Sequence, residues 1–522
     1  MSRLFTRVAV SLLLVLLWGA GAGAVDYKDY IGFTQLQTEL GSSTPTGAGV
    51  EVTQAEADTT PANPDYYSYL PSFSDSQFSG KNFTAYLVYK NPDNPVVGTS
   101  GHATSVGYNF YGTGSIAPGI TSINNYLADR WLDTGFLKPE SNAQPYATSA
   151  RVANHSWIGK YIQYENGPID IPANVDALKR LDWVINRDEY IQVVGMNNGS
   201  GNASIPLLGS SFNAIAVGLS SGASQHGSYA LDSLYTAGRT RPDLVAPLEA
   251  TSYATPVVGA AAALLVEVGH QNPALSTDPA VQYTMNRRGD TIYNAERSEV
   301  VKAALMAGAS RTASQLVGGY HATTANGLDS TYGAGQLNIY NSYHIIAAGE
   351  QNSLQDAPGT HGYIGSSGFD YDPYFGGMAP SSGQPASNRI ASYYFRALGD
   401  GEITASLVWN LDVNGGTEDS FDGSASFYHL GLYLYDLTDL IHPLASAVGE
   451  ADNTENLWWT ALAADHNYLL RVSALTAGDF LWDYGLAWDI STAVAPVPVP
   501  GAVYLLGTGL LMLVGFRRKF TS

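Results

Sequence analysis

The 522-residue sequence predicts an α/β domain, a mainly parallel sheet flanked by helices, followed by a small all-β sandwich domain. Two observations predict it. From about residue 26 to residue 350, apolar strand-like runs such as Ile191 to Val194 alternate with helical patterns such as Asn174 to Ile185, where Val175, Leu178, Leu181 and Ile185 share one face. Beyond about Arg389 the helical pattern disappears. Short alternating runs then follow, at Ile403 to Trp409, Leu430 to Tyr435 and Tyr468 to Val472, punctuated by Asp, Asn and Gly.

Taken in order, the chain opens with Arg3 and Arg7, an apolar run from Val8 to Trp18, and Ala22-Gly23-Ala24. This basic, apolar, small-residue order reads as a cleaved export signal over residues 1–24. The apolar run is about 11 residues, short of the roughly 20 that span a bilayer, which favours cleavage over an anchor. Residues 25–350 are assigned to the α/β domain, 351–387 to a linker rich in Gly, Ser and Pro, 388–490 to the sandwich and 491–522 to a tail. In the tail, Val497-Pro498-Val499-Pro500 precedes an apolar stretch from Ala502 to Phe516 and the basic Arg517-Arg518-Lys519. The prolines cannot continue a helix, the apolar stretch suits a membrane, and the basic end stays cytoplasmic. This order resembles the PEP-CTERM sorting signals of exported Gram-negative proteins. The resemblance implies an exosortase-type processing enzyme, a membrane contact through the tail before processing, and a final place in the cell envelope, outer surface or extracellular matrix.

Composition narrows the chemistry. Cysteine is absent, which excludes disulfides and thiolate metal sites. A net charge of -21, from 46 acidic and 25 basic residues, argues against a nucleic-acid partner. Asp412-Val413-Asn414-Gly415-Gly416 and Glu418-Asp419 carry the oxygen ligands calcium takes, but their spacing does not fit the helix-flanked calcium loop; structural calcium stays open beside an acidic surface turn. The Trp458-Trp459 pair stands either for glycan contact or for buried packing.

Four segments carry the catalytic argument. Ala250-Thr251-Ser252-Tyr253-Ala254-Thr255-Pro256 leads into an apolar, Ala-rich run, which places Ser252 where an extended segment turns into a buried helix whose N-terminal dipole favours developing negative charge. Pro256 is read as lying in the opening turn, whose amides need no intrahelical partner. A serine hydroxyl needs a neighbouring base near neutral pKa, and His102 in Gly101-His102-Ala103-Thr104-Ser105-Val106-Gly107 is the candidate. Gly47-Ala48-Gly49-Val50-Glu51-Val52-Thr53-Gln54-Ala55-Glu56 ends a strand on Glu56, an acid able to orient the imidazole, with Asp58 as the fallback on the same face. Val193-Val194-Gly195-Met196-Asn197-Asn198-Gly199 offers Asn197 as an amide donor to an oxyanion.

These segments resemble, in order, the acid, histidine, oxyanion and serine segments of the subtilisin-like (subtilase) serine peptidases, over about residues 47–338. Asn154-His155-Ser156-Trp157-Ile158-Gly159 resembles the family's substrate-backbone segment, which implies Asn154, His155, Ser156, Trp157 and Gly159 as substrate-binding; Ile116-Ala117-Pro118-Gly119 and Tyr332-Gly333-Ala334-Gly335 match two structural segments. The resemblance implies an exported endopeptidase hydrolysing polypeptides through a Ser-His-Glu or Ser-His-Asp triad; no cofactor is assured, and structural calcium is possible. Glu56 stands where the family has Asp, Ala103 and Met196 where it has Gly, and Ala250 also departs from its pattern. Those substitutions keep a second reading in play, an inactive subtilase fold that binds surface or matrix material.

Overall fold

The computed structural model describes residues 26–159, 170–357, 361–380 and 387–496. The expected export signal and the apolar part of the tail lie outside the described residues.

Seven strands form the large sheet: β1 (Glu51–Glu56), β2 (Asn82–Tyr86), β3 (Ser122–Leu127), β4 (Val152–His155), β5 (Ile191–Gly195), β6 (Ile215–Leu219) and β7 (Leu244–Ala246). Their order is β2-β3-β1-β4-β5-β6-β7, and every neighbouring pair is parallel. Strands β5 and β6 are buried along their whole length because helices cover both faces, which is why they read as unbroken apolar runs. On one face Val52, Val152, Val193 and Val217 meet α3 (Thr251–Gln271). On the other, Ala55, Ala153 and Val194 meet Ala177, Leu178 and Leu181 of α2 (Ile171–Asp188). Helix α2 exceeds the expected 174–185 at both ends: Asp170 accepts from Ala173 N (3.1 Å) as N-cap, and Pro172 fits the first turn. Helix α3 is long and apolar enough to cross a bilayer, yet it is the buried central helix of this domain.

Further helices of the domain include α1 (Gly101–Phe110), α4 (Ser298–Ala307) and α5 (Ile339–Ala347). After them come β8 (Ser367–Phe375), β9 (Ile390–Ala397), β10 (Gly401–Val408), β11 (Leu430–Asp436), β12 (Ala445–Ala447), β13 (Thr454–Leu462), β14 (Asn467–Ala474), β15 (Trp482–Ile490) and β16 (Val494–Ala495). They make two antiparallel sheets, β8-β15-β10-β13 and β12-β11-β14-β9-β16. The sandwich expected from the alternating runs is present, with two corrections of extent. Strand β8 occupies the stretch assigned to a linker, and β16 falls in the range assigned to the tail. The acids Asp370 and Asp372 hid β8: Phe369 and Tyr371 turn toward the α/β core, while buried Asp370 accepts a hydrogen bond from Tyr393 Oη (2.6 Å) inside the sandwich.

The two units are packed tightly together. Every residue of α4 is buried. Strand β15 approaches its backbone so closely that a Cβ on Gly485 would sit 2.9 Å from Val300 N. The Trp458-Trp459 pair is split between the faces of β13: Trp458 stands edge-on to Tyr320 of the α/β domain and donates to Glu402 Oε2 (3.0 Å), while Trp459 packs on the sandwich core. Two rings on opposite faces do not form one stacking platform.

Candidate active site

Sheet order places the candidate residues. From β1 the chain winds outward to β2 and β3 on one side and to β4 through β7 on the other, and the crevice beyond the carboxyl ends of strands at such a switch point is where open α/β sheets bind ligands. Glu56 is the last residue of β1, Ser156 follows β4, and Asn197 follows β5 by two residues.

Glu56 is buried, and its Oε2 lies 2.8 Å from Nδ1 of His102. The second residue of α1, His102 is held at the helix start by Ser100, whose Oγ accepts from Ala103 N (3.1 Å). Burial pulls the imidazole pKa down, but the charge and hydrogen bond of Glu56 outweigh it and leave His102 above its ordinary value. The alternative acid, Asp58, is engaged elsewhere. It pairs with Lys90 Nζ (3.0 Å) and accepts from Ser68 N (2.9 Å) and Thr60 N (3.0 Å); although burial opposes it, these bonds hold its carboxyl below the usual range.

Ser252 is the second residue of α3. Ala250 precedes the helix in extended conformation and offers no side-chain cap, so that role falls to Asn198, whose Oδ1 accepts from Thr251 N (2.9 Å) and Thr251 Oγ1 (3.2 Å). Pro256 corrects a sequence expectation. It is the sixth helical residue, past the opening turn, and its missing N–H would have bonded Ser252 O. Ser156 Oγ donates to that carbonyl instead (3.0 Å), tying the turn bearing Ser252 to the end of β4. Among the described residues Ser252 Oγ makes no hydrogen bond to His102; the Tyr253 ring lies near the imidazole, 6.5 Å between centroids at 29°. Gly195 lets β5 reach this turn, since a Cβ there would meet Thr255 Oγ1 at 2.7 Å.

Asn197 is half-buried, and its carbonyl accepts from Gln225 N (2.8 Å). Its side-chain amide has no hydrogen-bond partner among the described residues, while Met196 beside it is packed on Ile205 and Ala216. The expected substrate-binding segment divides. Asn154 and His155 are interior: Asn154 Nδ2 donates to Ser156 Oγ (2.9 Å), and His155 sits between Gln192 Oε1 (2.8 Å) and Trp157 Nε1 (3.2 Å), with burial pushing its pKa down to about 4 against the Gln192 bond. Ser156 and Trp157 are largely buried, and Gly159 is half-buried with its carbonyl accepting from Leu207 N (2.6 Å). Only the far end of this segment is open to solvent.

Comparison with known proteins adds little to this geometry. No family model and no curated protein matches the chain. Among solved structures, the prenylagaramide maturation protease PagA is 16% identical, covering 60% of this chain and 98% of its own at a TM-score of 0.34. The PatG macrocyclase in complex with peptide is 15% identical, covering 62% and 98% at 0.35. Likeness of that degree bears on neither activity nor substrate.

Two other features lie apart from this site. A cavity of about 690 Å³ opens over the β2 and β3 side of the sheet, lined by Tyr86, Tyr126, Arg130, Phe136 and Tyr146 among others. At the acidic turn considered for calcium, Asp412 Oδ2 accepts from Tyr428 Oη (3.2 Å) and Asn414 Oδ1 from Gly416 N (2.9 Å). Among the described residues no three His, Asp or Glu are gathered to hold a metal ion. Sequence reasoning missed Asn198, Ser156 as partner of the Ser252 carbonyl, and Gln54. Only Gln54 left a signal, an amide two residues before Glu56 and so on the same strand face.

Proposed function

We propose that this protein is an exported serine endopeptidase of the subtilisin-like type, acting on polypeptides. The observation that carries the reading is the buried Glu56 to His102 contact of 2.8 Å at the carboxyl end of the sheet, beside the helix N-terminus that presents Ser252. Ser252 Oγ attacks the peptide carbonyl as its proton passes to His102 Nε2, and the same proton then goes to the leaving amine. Glu56 stabilises the imidazolium through Nδ1. The free amide of Asn197 and the backbone N–H of Ser252 receive the oxyanion, since Thr251 N is taken by Asn198 Oδ1 and Tyr253 N by Ala250 O; one such side-chain donor is worth about a hundred- to a thousandfold in rate in subtilisin, the enzyme on which that magnitude was measured. The Ser252 to His102 hydrogen bond closes on substrate binding, as such bonds commonly do. The N-terminal signal and the sorting tail extend the proposal to export, exosortase-type processing and residence at the outer surface or in the matrix.

The test is labelling of the purified protein with a fluorophosphonate probe near neutral pH, beside Ser252→Ala, Glu56→Ala and Asp58→Ala. Labelling lost in Ser252→Ala, much reduced in Glu56→Ala and retained in Asp58→Ala supports the assignment. The open Ser252 to His102 geometry also suits the second reading, a non-catalytic binding protein, and a well-folded protein that takes no label establishes that one instead.

A further inference from the structure

Gln54 is one of several buried polar side chains in the middle of the sheet, with Asn125 and Asn154 as its cross-strand neighbours. It lies inside β1, fully buried, between the apolar Val52 and Glu56 on the same strand face. Its Nε2 donates both to Glu56 Oε1 (2.9 Å) and to Ala103 O (2.8 Å), and its Oε1 accepts from Tyr111 Oη (2.5 Å). The amide has only one workable orientation. The carboxylate and the Ala103 carbonyl are both acceptors, so each needs the amide nitrogen, which leaves the amide oxygen to Tyr111 as donor. Tyr111 comes from the C-terminal end of α1 and is itself fully buried.

The two groups that Gln54 holds flank the histidine. Glu56 touches its ring, and Ala103 is the next residue along the chain, so a single amide ties the acid on β1 to the backbone that carries the base on α1. A glutamate has one more rotatable bond than an aspartate, and with both oxygens free its carboxylate could turn away from the ring. Fixing Oε1 leaves Oε2 directed at Nδ1. An apolar side chain would fill the same space without having to satisfy a buried amide, whose unpaired cost is about 1–3 kcal/mol.

We infer that Gln54, held by Tyr111, is a positioning residue that aims the Glu56 carboxylate at His102. This deepens the peptidase reading and rests on it for its catalytic consequence. Misdirecting the acid leaves substrate contacts untouched, so the loss appears in kcat and not in KM. Misplaced second-layer groups of this kind cost about 10- to 100-fold.

The experiment follows the His102 ring by NMR in ring-labelled full-length protein, with His102→Gln for assignment, in the parent, Gln54→Leu and Tyr111→Phe. Steady-state kinetics on a peptide substrate run alongside. Burial, reinforced by the Glu56 charge, pushes the Tyr111 phenol far up, so it stays neutral and does not enter the His102 titration. Gln54→Leu should lower the His102 pKa toward the ordinary imidazole value, remove the downfield Nδ1 proton signal and reduce kcat about 10- to 100-fold at unchanged KM. Tyr111→Phe, which deletes one hydroxyl and keeps the amide, should shift the same readings in the same direction by less. A His102 pKa that stays or rises in both variants, with kcat within about twofold of the parent, overturns the inference. If Gln54→Leu does not fold, Tyr111→Phe decides on those readings alone. A parent that takes no fluorophosphonate sinks the peptidase reading, while the His102 titration still reports whether Gln54 aims Glu56.

Discussion

Replacing Asp452 by alanine should reveal how firmly the sandwich is joined to the α/β domain. Asp452 lies between β12 and β13, almost wholly buried, and reaches into the other domain: Oδ1 pairs with Arg241 Nη1 (3.2 Å), and Oδ2 accepts from Thr240 N (2.9 Å) and Asn326 Nδ2 (3.2 Å). The Arg241 side chain is itself fully buried, so alanine leaves a desolvated cation short of a partner, a loss of about 3–5 kcal/mol. Asp243, 3.5 Å from Arg241, remains and sets the value near the lower end, while the orphaned Thr240 N–H adds about 1 kcal/mol. The total is about 4 kcal/mol. With a urea slope of about 3 kcal/mol per molar, the unfolding midpoint falls by more than about 1 M. The assay is urea unfolding followed at once by tryptophan fluorescence and far-ultraviolet circular dichroism. A drop below about 0.2 M, or a parent already unfolding in two separate steps, would refute the reasoning, because either says the domains do not depend on this contact.

Three further outcomes follow from the same geometry. Because Glu56 holds the His102 pKa above 6.5 in spite of burial, and the proposed mechanism uses the neutral imidazole as base, the labelling rate should rise with pH through a midpoint above 6.5 and that midpoint should fall in Glu56→Ala; a parent midpoint below 6.5 contradicts this. Gly195→Ala would push against Thr255 Oγ1 at 2.7 Å and displace the turn bearing Ser252, costing about 1–3 kcal/mol and reducing labelling more than tenfold; unimpaired labelling would show that the turn can yield. Burial raises the Glu350 carboxyl to about 7 from 4.5, outweighing its hydrogen bonds from Asp278 N and Thr277 N, so the fold favours its protonated form. That contribution is complete below about pH 4.5 and lost as pH rises through about 7, a change of about 3 kcal/mol. The cost of Glu350→Gln, measured by urea unfolding at pH 5 and pH 8, should therefore shift in favour of the variant by about that amount, and a pH-independent cost would count against it.

Much of the site could be read along the chain because its parts are local. Ser252 ahead of an apolar helix, His102 in a small-residue helix start and an acid ending a glycine-led strand are each legible within ten residues. The choice between Glu56 and Asp58 was not legible, since both sit on one strand face. It depends on where Lys90 and Ser68 lie, and these draw Asp58 aside. The role of Pro256 was misread because counting from Ser252 does not reveal where the helix begins or that Ser156 waits for the freed carbonyl.

Hydrophobic period and turn composition, determined by the sequence alone, set the alternation of strand and helix, the later change to short strands, and the places of the serine, histidine and acid. Period is a nearest-neighbour property, and a run of ten residues carries it. Tertiary structure alone decided that β8 belongs to the sandwich, that Asn198 caps the serine helix, and that Ser156 holds its carbonyl. It also brought Glu56 to His102. These contacts join residues 46, 53 and 96 positions apart, and nothing local encodes them. They follow from the order in which seven parallel strands lie side by side, which is settled by the burial of both faces of the sheet at once.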